Sequence, residues 1–421
     1  MSSSTPAGRA TIAPPGRGEP EARRSRGLLA IGPAFVAAVA YVDPGNIATN
    51  TAAGATYGFL LLWVVVLATL MAGPVQYLSA KLGLVTGKSL PAYVAGRVSR
   101  RARIAYWMQA EAVAIATDIA EIIGAALAMH LLFGMPLVPA GLIAGAIGML
   151  LLAARDRLGR RFLESMCLVS LFVIGAGFVV GVLTSPPGLD DLAGGLVPAL
   201  GGAETVLLAA GIVGATVMPH AVYLHSSLTA ERPVDRGHLM QRLRWTRMDV
   251  GTAMILAGGI NVSMLVLGAT ALRGVPDDSF GAAAAALTER VGDGAGTAFL
   301  VALLVSGVSS TAVGTHAGAA IMAGLLHRQV SPLVRRAVTL VPALVLLASG
   351  LEPVTVLVLS QVALALGLPF ALIPLLRATC DAKLMGPWRN HRALTAVAVA
   401  IVAIVVVIDL VLVGLVVTGR G

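Results

Sequence analysis

The chain has 421 residues, of which 57% are hydrophobic and only 12% charged, with a formal net charge of +9; its mean hydropathy is +0.87. Soluble domains carry about twice that charge fraction, so a soluble enzyme is excluded and a polytopic membrane protein is expected. The positive residues fall in short hydrophilic gaps between apolar runs, which is a topology signal and not a nucleic-acid surface. Weak period-two patterning and abundant Ala, Gly and Leu predict helices, not a barrel. The two cysteines, Cys167 in an apolar run and Cys380 in a basic loop, offer no disulfide framework.

Residues 1–26 are rich in Pro, Ser, Gly and Arg and read as a disordered cytoplasmic tail. No short apolar core with a small-residue cleavage site follows, so a signal peptide is not expected. Eleven apolar segments come next, near 27–53, 57–80, 104–133, 137–154, 162–184, 202–229, 247–272, 295–326, 333–350, 353–376 and 393–418. Each is long enough to span a bilayer. Basic residues fill the alternate gaps at 88–103, 155–161, 232–247, 328–336 and 377–392, while the intervening loops read "SPPGLDD", "RGVPDDS" and "GLEP". Of the 30 Lys and Arg, only Arg273, Arg290 and Arg420 fall on the poor side. The positive-inside rule then predicts a cytoplasmic N-terminus and an external C-terminus.

Two segments are interrupted. The first breaks at "AYVDPGNIATN", residues 40–50, and the sixth at "VMPHAVYLHS", residues 217–226. They lie five segments apart and therefore run in opposite directions. That is the pattern of a five-plus-five inverted repeat whose broken helices frame a central site. A transport domain is expected over 27–392, with an added eleventh helix and external end over 393–421.

Backbone that leaves the helix inside a membrane survives only where it lines a cavity or binds something. Asp43 brings a carboxylate to the first break, Asn46 a neutral oxygen, and Met218 a thioether from the second. Freed carbonyls near Ala40 and Ala215 add further oxygens. One negative charge, several neutral oxygens and one soft sulfur make a small cation site that leans toward Mn(II) or Fe(II), since Ca(II) and Mg(II) prefer all-oxygen shells. Taken alone, Met218 is better read as a gap-filler and Asp43 could be a helix cap; the conjunction of two breaks with polar ligands favours the site. In the third segment Glu111, Asp118 and Glu121 share one helix face, which suggests a proton or ion path. Structural pairing with arginines is the alternative, strongest for Glu111. His220, at the second break, can join a proton relay. His130 and His316 read as structural, and Asp409 is expected near the external surface.

"DPGN", "MPH…LHS", "ATDIAEIIG", "QYLSAKLG", "SGVSSTAVGT" and "LSQVALALGLPFA" occur in order from the first helix to the tenth. Together they resemble the NRAMP family of proton-coupled divalent metal transporters. The resemblance implies an all-α, LeuT-type fold with helices 1 and 6 broken, and import of Mn(II) or Fe(II), with Cd(II) and Co(II) as further cargo, across the plasma membrane by proton symport. By position, Asp43, Asn46, Met218 and the Ala215 carbonyl match the family's metal ligands, and Ala40 and Gln361 match residues that join the shell in some states. Asp118, Glu121 and His220 match its proton-linked residues. Arg232, Arg335 and Arg336 match arginines that take protons from the third helix and form inner-side salt bridges. A monomer in a lipid bilayer is expected, with metal ion and proton as substrates, no nucleic acid and no cofactor. The sequence departs from the family pattern at Ala221, Gly367, Ala319 and Ala323, each in a place where the family carries a polar residue. Two other readings are a carrier of an organic solute on the same fold and a divergent non-coupled metal transporter or sensor. An aspartate at the break would repel a substrate carboxylate, and no appended soluble domain is apparent to relay a signal.

Overall fold

A computed structural model describes residues 32–232, 236–275, 279–292, 294–328 and 330–418. The expected tail over 1–26 and the last three residues lie outside them. Seventeen α-helices follow in chain order. They are α1 (Pro33–Ala40), α2 (Pro44–Tyr57), α3 (Leu62–Thr86), α4 (Leu90–Ala95), α5 (Arg100–Phe133), α6 (Leu137–Leu158), α7 (Arg160–Thr184), α8 (Leu189–Gly195) and α9 (Ala203–Val217). Then come α10 (Pro219–Ala230), α11 (Leu239–Ala271), α12 (Phe280–Val291), α13 (Ala295–Leu326), α14 (Pro332–Ala348), α15 (Pro353–Cys380), α16 (Ala382–Met385) and α17 (Arg392–Val417). No strand occurs among the described residues.

Nine stretches are long and apolar enough to cross a membrane, counting α9 with α10 as one. The 17-residue α14 and the broken pair α1–α2 complete the eleven expected spans. Several ends differ from the hydropathy reading. The seventh span begins at Leu239, not at 247, and its 33 residues reach about 50 Å at 1.5 Å per residue. That exceeds a hydrocarbon core of about 30 Å, so its basic first turns protrude. Charged turns outside the apolar slab can extend a helix, and hydropathy does not see them. The second span starts at Leu62, because Gly58 adopts a left-handed φ of 63° and closes α2.

Burial separates a central layer from a lipid-facing one. The most apolar window of α9–α10 is 83% buried and that of α5 is 78%, against 28% for α17 and 33% for α6. The most extensive helix pairing is α5 with α13, and the next is α2 with α11. Small residues permit these approaches, as is usual where lipid supplies no hydrophobic drive. A Cβ on Gly54 of α2 would lie 2.1 Å from the Leu265 carbonyl oxygen of α11. A Cβ on Gly268 would meet the Thr51 carbonyl oxygen at 2.4 Å.

Candidate metal site and acid–arginine ladder

The two breaks share one device. In a continuous helix the carbonyl of residue i accepts from the amide of residue i+4. Four residues beyond Ala40 stands Pro44, and four beyond Ala215 stands Pro219. Neither proline has an N–H, so each half-helix ends with a carbonyl that cannot be satisfied in the usual way. Both prolines then occupy the first position of the next half-helix, where the missing donor costs nothing. At the second break Met218 takes a φ of 27°, one of two positive values on non-glycine residues among those described. Such strain is kept where surrounding structure demands it.

The rest of the first break is tied down by neighbours. Asn261 of α11 donates to the Tyr41 carbonyl at 2.9 Å, and Ser306 of α13 to the Val42 carbonyl at 2.6 Å. Asn50 donates to Asn261 at 3.2 Å. Below the break, the Gln76 amide donates to the Tyr41 hydroxyl, and Gln76 Oε1 lies 2.7 Å from His225 Nδ1. None of these supporting residues was singled out individually in the sequence reading. Asn50, Gln76, His225 and Ser306 lie inside quoted stretches, and Asn261 is detectable as a lone amide in an apolar span.

Asp43 does cap α2, accepting the Asn46 amide N–H on Oδ1 at 2.7 Å. Only one oxygen is used. Its Oδ2, Asn46 Oδ1 and Gln361 Oε1 are buried with no hydrogen-bond partner in the protein, and so is the hydroxyl of Thr216, next to Ala215. The Asn46 side-chain nitrogen donates to Asp43 Oδ1 at 2.9 Å and to the Ala215 carbonyl at 3.0 Å. An N–H₂ group thus joins two acceptors that a cation would also seek. The Gln361 amide crosses from α15 to lie over Gly45, where a Cβ would be 1.7 Å from Nε2. Asp43, Asn46, Ala40, Ala215, Met218 and Gln361 are all buried. Buried, unpartnered oxygens are expensive, and a divalent ion could supply what they lack. No group of three or more His, Cys, Asp or Glu among the described residues is arranged to hold a metal.

Beside this centre runs a ladder of charge. Arg335 lies 3.0 Å from Glu111 and 3.1 Å from Asp118. Arg336 lies 3.0 Å from Asp118 and 3.7 Å from Glu121, and donates to Thr311 at 2.9 Å. Asp118, Glu121 and both arginines are buried. Both arginines lie in the first turns of α14, inside the expected ninth span, and are buried against the acids of α5. The three acids therefore form arginine-paired steps, and Glu111 pairs as its alternative reading had it. His220 Nδ1 faces the Thr117 hydroxyl at 3.3 Å, one residue from Asp118. Arg232 pairs with Glu164 of α7, a partner the sequence analysis does not name. His316 lies 3.2 Å from Arg155, and His130 Nδ1 lies 2.6 Å from the Met135 carbonyl. Asp409 is buried within the bundle. It lies eight residues before the end of α17 and is 8% exposed, because α17 packs that face on α9 and α15.

Two broken helices that meet at a buried polar cluster, with the rest of the bundle packed around them, make a membrane protein of the LeuT-type fold. A structure described as Mhp1, a nucleobase-cation-symport-1 family transporter, shares that fold, with a TM-score of 0.60 at 18% identity over 91% of this chain and 89% of its own. The family model described as "Natural resistance-associated macrophage protein-like" (Nramp) matches residues 34–415, and the chain belongs to that family of membrane metal transporters. The divalent metal cation transporter MntH of Mycobacterium tuberculosis is 50% identical over 395 residues, covering 92% of each chain. The crystal structure of the Eremococcus coleocola manganese transporter superposes with a TM-score of 0.83 at 32% identity, over 90% of this chain and 85% of the other.

Proposed function

We propose that this chain imports divalent transition-metal ions, Mn(II) and Fe(II) foremost, across the plasma membrane in symport with protons. It acts as a monomer with its N-terminus cytoplasmic and its C-terminus external. The observation that carries the reading is the set of buried oxygens without partners on Asp43, Asn46 and Gln361 at the meeting of the two breaks. Asp43 supplies the charge. The carbonyls of Ala215 and Ala40 and the side-chain oxygens of Asn46 and Gln361 supply neutral donors. Met218 supplies the soft ligand that hard ions use poorly.

The ion displaces the Asn46 N–H₂ from between Asp43 and Ala215, and the amide turns to present its oxygen. Binding therefore exchanges a hydrogen-bonded link between α2 and α9 for a metal-centred one. Half-helix C-termini at α1 and α9 add the negative ends of their dipoles. Proton transfer belongs to the neighbouring ladder. Asp118 and Glu121 exchange protons beside the metal site, His220 stands at its edge through Thr117, and Arg335 and Arg336 stabilise the deprotonated acids. Arg232 holds α10 to α7 on the inner side through Glu164. The similarity to divalent metal cation and manganese transporters supports the metal as cargo, and the charge pattern supports the orientation.

Uptake into proteoliposomes tests the whole reading, with Mn(II), Cd(II), Mg(II) and Ca(II) compared and internal pH followed. Mn(II) and Cd(II) enter with acidification, and Mg(II) and Ca(II) do not. Asp43→Ala abolishes saturable uptake; transport by that variant at the wild-type rate places the site elsewhere.

A further inference from the structure

A second polar cluster lies at the basic face of the bundle, apart from the central site. Lys81, near the end of α3, is 5% exposed, and its ammonium donates to Asn390 Oδ1 at 2.9 Å. The Asn390 amide donates to Thr379 Oγ1 at 2.8 Å and reaches Cys380 Sγ at 3.8 Å. Lys81 makes no ion pair with any described carboxylate. The nearby Asp381 is engaged by Arg97 at 2.8 Å. Arg247 adds a further positive charge to the surroundings of Lys81. A buried cation without a counter-charge is costly, so this cluster calls for an anion.

Two cavities flank it and meet at Pro387, with volumes of about 610 and 800 Å³. The smaller is bounded by Arg232, Lys383 and Trp388 against the end of α3. The larger includes Asn390 itself and opens between Arg389, His391, Arg392 and Thr395. No acid lines either one. Ala396 also lines the larger cavity, and the next residue on α17, Val397, is exposed, so this opening meets the lipid-facing surface of the helix.

We propose that the larger cavity is a binding site for a phosphate group, carried by an anionic phospholipid of the adjoining leaflet. Guanidinium forks such as those of Arg389 and Arg392 match phosphate oxygens. Lys81 lies behind Asn390, which lines the cavity, and adds a buried positive charge next to the two arginines. The acyl chains then lie along the outer face of α17. A lipid held here joins the ends of α3 and α15 to the start of α17.

Cys380 provides the readout. It borders the cavity, while the other cysteine, Cys167, is fully buried. The full-length protein is placed in nanodiscs and alkylated with neutral N-ethylmaleimide. The discs contain phosphatidylcholine alone, phosphatidylcholine with phosphatidylglycerol, or phosphatidylcholine with added inorganic phosphate. Cys380→Ser carrying Ala102→Cys, an exposed position on α5, reports any general effect of surface charge on thiol reactivity. Phosphatidylglycerol slows alkylation of Cys380 and leaves the control thiol unaffected. Each arginine removed, in Arg389→Gln and Arg392→Gln, lowers lipid affinity about fivefold, and the double variant returns Cys380 to its rate in phosphatidylcholine. Protection by inorganic phosphate without protection by phosphatidylglycerol overturns the lipid as the source. Equal rates in all discs, or protection that survives both substitutions, overturns the site.

Discussion

Gly45→Ala is a small change with a sharp consequence at the metal site. A Cβ there would stand 1.7 Å from Nε2, 2.4 Å from Cδ and 2.9 Å from Cγ of Gln361. Ordinary contact starts near 3.4 Å, so the amide must retreat by about 1.7 Å, comparable to a metal–oxygen bond of roughly 2.0–2.6 Å. Gln361 then cannot coordinate an ion shared with Asp43. The fold has little reason to suffer. The clash is with the far end of a flexible side chain, and Ala is favoured over Gly within a helix by about 1 kcal/mol. Mn(II) affinity should fall about tenfold, the lower end of what loss of a supporting group costs a metal shell. Titration calorimetry of the purified protein measures this, with thermal unfolding alongside. Gln361→Ala should produce a similar loss, and the double variant no further loss, because both changes remove the same amide. Wild-type affinity in Gly45→Ala, or losses that add in the double variant, would refute Gln361 as part of the shell.

Arg336→Leu leaves Asp118 and Glu121 short of a buried partner, and breaking such a pair costs about 3–5 kcal/mol; denaturant unfolding in detergent should show a loss of that order, and an unchanged midpoint would mean that the ladder is not charged as drawn. Asp118→Asn should retain metal binding while metal-driven acidification of liposomes falls; lost binding with intact proton flux would reverse the roles of ladder and site. Met218→Ala should lower Cd(II) affinity most and Mn(II) affinity less, and let Mg(II) and Ca(II) compete better, because it removes the ligand that separates soft from hard ions. Competition titrations that show Cd(II) affinity preserved would leave Met218 as packing.

The sequence by itself determined the membrane class, the eleven spans and the two breaks. Each of these rests on local chemistry: a run of apolar residues must be long enough for the bilayer, and a proline removes its own donor wherever it stands. Asp43, Asn46 and Met218 were legible for the same reason, since each is out of place in an apolar segment. What lies across the bundle was not legible from local chemistry and entered only through the family resemblance. Asp118 shows a carboxylate in a helix, but only packing shows that Arg335 and Arg336, over two hundred residues later, turn inward to meet it. The positive-inside pattern alone counts them as loop charges, because it cannot tell an arginine facing water from one drawn into the bundle by an acid; only the family resemblance links them to the third helix. By local chemistry Gln361 is one amide in a long apolar helix; the family resemblance offers it to the shell, and the approach of α15 sets its amide against Gly45. Lys81 reads as one more basic residue near a span end, and its burial beside Asn390 is set by how three distant segments meet. Local chemistry fixes where a helix begins, breaks and carries charge; tertiary packing selects which charges and oxygens share a space, because that depends on distances between segments that no local pattern encodes.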